Sequence, residues 1–179
     1  IPYATFAQAF QSLIRRLLSK PEAELTKWRE ALSEALSPNG SLMLDLVPEL
    51  TLILGEQPPV VDLPAPDAQR RFQLVVRRFI GVFARPEHPL TLFLDDLQWL
   101  DAATLDLLGD MLTAGDVRHL LLVGAYRDNE VSALHPLARK LDTLRQTGAI
   151  VRTVTLPSLP QEDLQQLIAD ALHATPDRV

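Results

Sequence analysis

Two carboxylates side by side, Asp95 and Asp96, close the apolar run Leu90-Thr91-Leu92-Phe93-Leu94, and Arg127 follows a second apolar run at 119–125 (HLLLVGA). Adjacent carboxylates with a guanidinium in reach suit phosphoryl transfer. The acids hold a divalent cation and orient water, and the arginine meets phosphate charge. Each group also has a plainer reading. Asp is common where strands end and turns begin, and Arg127 has ready salt-bridge partners in Asp128, Glu130 and the Asp pair itself.

For this chemistry to operate, the two runs must be neighbouring strands. Leu92, Phe93 and Leu94 are apolar without alternation, which predicts a strand covered on both faces, as in a parallel sheet. Such sheets present their ligand groups at the carboxyl ends of the strands. Because successive strand residues point to opposite sides, Asp95 and Asp96 are expected to face different ways. Asp101 has the chemistry of an N-cap for a helix carrying Leu105, Leu108, Met111 and Leu112. Past Arg127, Leu137, Leu141 and Leu144 stripe another helix, with Gly148 just beyond its end as a C-cap. The segment 149–156 (AIVRTVTL) is β-branched and alternating, which predicts a third strand, and a last helix carries Leu164, Leu167, Ile168 and Leu172. Strands alternating with helices argue for right-handed crossovers and a parallel sheet.

The first part of the chain reads differently. Phe6, Phe10, Leu13, Ile14 and Leu17 recur at helical spacing, and a second stripe runs through Leu25, Trp28, Leu32 and Leu36. Residues 42–54 read as a helical pair broken at Pro48, and Trp28 and Met43 are expected in the core. We therefore expect a helical segment over 1–56, a proline-punctuated connection over 57–66, and an α/β part over 67–179 that opens with a long helix to about Arg85. Arg70, Arg71, Arg77 and Arg78 flank that helix; a partner or phosphate contact is one reading, but in so acidic a chain a solvated face is expected.

Bulk properties narrow the function classes. A hydrophobic fraction of 47% with 22% charged residues describes a globular domain with a sizeable core. A net charge of −6 argues against a nucleic-acid partner, which would need a basic footprint. With no cysteine, disulfides, thiolate metal sites and cysteine nucleophiles are excluded, and a reducing, cytoplasmic setting fits. No apolar stretch is long enough to span a bilayer. Ile1 opens the chain without an initiator Met or a signal-peptide pattern, so the sequence reads as part of something larger. His88, His119, His135 and His173 lack ligand spacing, G-x-S-x-G is absent, and no Lys stands where a receiver-type phosphoacceptor site would need one.

The segment 92–108 (LFLDDLQWLDAATLDLL) resembles the Walker B segment of P-loop ATPases of the STAND or AAA type. The segment 120–131 (LLLVGAYRDNEV) resembles that family's sensor-1 strand, and 155–172 the strand and helix leading towards its lid. The start of the chain, with PELTLILGEQPPV, is similar to the region after the P-loop helix in large bacterial multi-sensor hybrid Ser/Thr–histidine signalling kinases. The resemblance implies an α/β fold: a partial P-loop NTPase of ASCE type, three-layered, with three recognisable parallel strands and a helical N-terminal part. It also implies ATP and Mg²⁺ as cofactors. Asp95 would hold Mg²⁺ through water, Asp96 would polarise the attacking water, and Arg127 would sense the γ-phosphate. The implied partners are other domains of the same signalling protein.

One departure stands out. No segment has the G-x-x-x-x-G-K-[ST] spacing of a phosphate cradle. In the family that loop lies upstream of the Ile-Pro-Tyr block, together with a strand that sits between the sensor-1 strand and the last one. The chain alone is therefore expected to be inactive, with a gap in its sheet or a compensating rearrangement. An open edge of that kind invites a homo-oligomer or swapped dimer. The competing reading is a non-catalytic helical scaffold or interaction domain with a vestigial Asp pair.

Overall fold

The computed structural model describes residues 2–173. Helix α1 (Ala4–Leu18) buries Phe6, Phe10, Ile14 and Leu17, the stripe its spacing dictates. Helix α2 (Glu22–Leu36) buries Leu25, Leu32 and Leu36. The broken pair follows as α3 (Gly40–Leu46), a 3₁₀ turn (Pro48–Leu50) and α4 (Thr51–Leu54). Pro48 starts the 3₁₀ turn, and Gly55, at φ 68°, stops α4 in a conformation that needs no Cβ. Residues 55–64 carry no helix or strand, after which α5 (Ala65–Phe83) runs for 19 residues.

These helices share one core with the strands. Phe79 of α5 lies 5.0 Å, centroid to centroid, from Phe10 of α1 and 5.1 Å from Phe83. Trp28 stacks on Phe83 at 5.3 Å, and Met43 is fully buried. At the other end of α1, Tyr3 packs on Phe72, and its amide is bonded to the start of the helix that follows the Asp pair.

Strand β1 (Leu90–Leu94) and strand β2 (Leu120–Gly124) form a two-stranded parallel sheet, registered from Leu90 opposite Leu120 to Leu94 opposite Gly124. Between them α6 (Ala102–Thr113) makes the crossover, and α7 (Pro136–Gln146) packs on α6. Helix α8 (Gln161–Leu172) follows near the end of the described chain, and all four of its striped residues, Leu164, Leu167, Ile168 and Leu172, are exposed.

Two expectations need correcting. Residues 149–156 form no strand: Ile150, Val154 and Leu156 are 81–89% exposed, and the segment runs beside β2 across a cavity of about 250 Å³. Their β-propensity favours an extended backbone, but a strand also needs a neighbour at hydrogen-bonding distance. None is present on that side of β2 among the described residues, so the sheet has two strands rather than three. Nor is β1 covered on both faces. Leu92 and Leu94 join the core while Phe93 is 59% exposed, and Leu121 and Val123 continue that open apolar face on β2. No described helix lies over it. None of the described helices is long and apolar enough to cross a membrane.

Candidate functional site

The parallel ladder does not stop at the strand ends. Ala125 donates its amide to the Leu94 carbonyl at 2.9 Å, and Leu97 donates to the Ala125 carbonyl at 2.9 Å. Those two bonds hold the segment after β1 against the segment after β2. Gly124 allows the close approach, because a Cβ there would collide with Leu97. The result is a single rim at the carboxyl end of the sheet that carries Asp95, Asp96 and Arg127 together.

Pleat alternation does not place the two carboxylates. Asp96 is left-handed, at φ 51° and ψ 46°, so the chain leaves strand geometry between them. Asp tolerates that region better than most residues, and the Asp95 carboxylate accepts the Asp96 amide at 2.8 Å. The two acids do face different surroundings, through this turn rather than through the strand. Asp96 Oδ1 accepts from Gln98 Nε2 at 2.9 Å and lies 3.9 Å from Arg127 Nε. Arg127 also pairs with Glu130 at 3.2 Å. About half of the Asp96 side chain and two-thirds of the Arg127 side chain remain exposed.

Gln98 is the residue that sequence reasoning missed. It is 6% exposed and bridges the rim, donating to Asp96 and accepting the Arg127 amide at 3.4 Å. A buried amide that satisfies both of its ends fixes its neighbours in orientation. One signal was available: a polar residue between Leu97 and the Trp-Leu pair, where an unpaired amide would be costly. Glu130 does more than pair with Arg127. Its Oε1 takes Arg127, while its buried Oε2 has no hydrogen-bond partner among the described residues.

The rim is braced from behind by Asp101. Its carboxylate caps α6, accepting the Thr104 amide at 2.9 Å and the Thr104 hydroxyl at 2.6 Å, and it also accepts the Tyr3 amide at 3.4 Å. Burial pushes the Asp101 carboxyl up, but these hydrogen bonds outweigh it and hold the pKa below its ordinary value. A carboxylate with a lowered folded pKa adds stability that is fully present above the unfolded value and is lost as pH falls through the folded one. Asp101→Ala should cost about 1 kcal/mol, and it should flatten the loss of stability below about pH 4. Denaturant melts of both proteins across acid pH measure this.

A magnesium-bound triphosphate makes limited demands on the protein's acids. Mg²⁺ keeps several waters and takes one or two carboxylates plus phosphate oxygens. Asp95 and Asp96 each keep one oxygen that bonds to no described residue, so the donor set fits. Among the described residues no three acids or histidines gather as a metal cage, which such a site does not require.

The model of the AAA ATPase domain family matches residues 1–123, covering β1, the Asp pair, α6 and most of β2 but stopping short of Arg127. Hybrid signal transduction histidine kinase G of Dictyostelium discoideum is 36% identical over 103 residues, or 58% of this chain and 3% of that protein. Histidine protein kinase 1 of Candida albicans is 22% identical over 192 residues, or 94% of this chain and 8% of that protein. The chain thus spans a small fraction of the length of these curated relatives. No solved structure matches it. An acid-ended parallel strand pair, within a match covering well over half of the sequence, leads to one conclusion: the chain belongs to the AAA ATPase domain family.

Proposed function

We propose that this chain is part of an ATP-dependent regulatory module of STAND type in a histidine-kinase signalling protein. Its nucleotide state would govern neighbouring domains of the same polypeptide. The observation that carries the reading is the 3.9 Å approach of Arg127 Nε to Asp96 Oδ1, on the rim where two parallel strands end. Asp95 would hold Mg²⁺ through water bound at its uncommitted oxygen. Asp96, oriented by Gln98, would polarise the attacking water, and Arg127 would meet the terminal phosphate. Bound Mg²⁺ supplies charge neutralisation at the phosphates.

This reading requires the phosphate cradle to come from polypeptide outside these residues, since nothing here has its spacing. The cavity between β2 and 150–154 and the bare face at Phe93 support the same requirement. The 1–56, 57–66 and 67–179 parts would then be successive pieces of one ATPase module, and the free edge of β2 is where a second copy could pair or swap. Calorimetric titration of the 179-residue chain with Mg-ATP should show only weak binding, and micromolar affinity would refute the need for an outside cradle. Absence of ATP turnover by the full-length protein would leave the scaffold reading in its place.

A further inference from the structure

The opposite rim of the sheet carries a second feature, independent of the nucleotide reading. A groove of about 680 Å³ opens where β1 and β2 begin, on the order of 15 Å from the Asp pair by the rise of a five-residue strand. Its floor is small: Ala31 and Ala35 of α2, Gly81 of α5, and Ala84. A Cβ added to Gly81 would meet nothing within 4 Å. Arg77, Arg78, Arg85 and Arg118 line it, with Glu34 and Asp116.

These arginines are not equivalent. Arg77 is committed, bonded to Asp116 at 2.9 Å and to Asp110, and so pins the loop before β2 onto α5. Arg78, Arg85 and Arg118 form no ion pair with a described residue and are exposed. Their backbones are nevertheless well placed. Arg85 sits in a tight turn closed by paired bonds with His88, and the Arg118 loop is tied to β1 through the Leu90 amide and the His119 carbonyl. Three uncommitted guanidinium groups on fixed mounts, in a chain of net charge −6, are a local reversal of sign.

We propose that this groove docks an acidic segment of a partner polypeptide. Guanidinium groups bind carboxylates in pairs of parallel hydrogen bonds, which suits separate acidic side chains. The small-residue floor leaves room for a peptide main chain. Glu34 and Asp116 would repel a continuous run of phosphates. Apart from the His119 imidazole, the groove offers no ring: no Phe, Tyr or Trp lines it for a base to stack on. The volume is that of a site for a sizeable ligand rather than for one inorganic anion.

Fluorescence anisotropy with a labelled Glu-Ser repeat peptide tests this on the 179-residue chain. Binding should be saturable, should weaken as salt is raised, and should be absent for a matched Gln-Ser peptide. Combining Arg78→Glu, Arg85→Glu and Arg118→Glu should weaken it by roughly tenfold or more, whereas Lys at the same positions, with the charge but not the paired hydrogen bonds, should weaken it less. Gly81→Leu changes no charge and lies inside a helix, where losing glycine favours the fold; it should weaken binding by filling the floor. No saturable binding, binding indifferent to the charge reversals, or tighter binding of a single-stranded oligonucleotide than of the acidic peptide would each overturn the proposal.

Discussion

Asp96→Asn in the full-length protein should lower ATP turnover by about two to four orders of magnitude while leaving the fold intact. The substitution keeps the size of the side chain and its hydrogen bond from Gln98, but removes the charge that would polarise water and attract Arg127. Because the side chain is half exposed, losing that charge leaves no buried group unpaired and should move the melting point little. Turnover and thermal melting measured side by side separate the two effects. Gln98→Leu gives the contrasting result. It removes both bonds across the rim while keeping an apolar contact beside Leu97, so turnover should fall by roughly tenfold through misorientation. Unchanged turnover in Asp96→Asn would favour the scaffold reading.

Phe79→Ala should have the largest effect on stability, a loss of about 3–5 kcal/mol. Phe79 is fully buried and packs against both Phe10 and Phe83, so truncation opens a cavity where α1 and α5 meet. Domains of this kind are stable by only about 5–15 kcal/mol, so the change removes a large part of the total. Urea unfolding should show a shifted midpoint with little change in slope. A shift equivalent to less than about 1 kcal/mol would mean that this junction is not the core of the fold.

Local signals in the sequence specify the elements whose physics is local. Helical periodicity located α1, α2 and α5, and the cap chemistry of Asp101 located the start of α6. The unpaired apolar runs located β1 and β2, and the parallel pairing followed from the helix between them. The flanking arginines of α5 show the limit of such reading. A solvated face was expected, yet Arg77 is locked to Asp110 and Asp116 across a fold that charge patterning along one helix does not reveal.

The sequence by itself singles out Asp95, Asp96 and Arg127 as candidates, because residue type and position at a strand end are chain-local properties. Only the tertiary structure decided how they meet. Asp96 turns the chain in a left-handed conformation, and the two bonds crossing between Leu94, Ala125 and Leu97 and the buried Gln98 bridge join residues about thirty positions apart. The same reason explains the missing strand at 149–156. Side chains determine whether a segment is extended, but hydrogen bonds to a neighbour determine whether it is a strand. That neighbour is not among the residues described here.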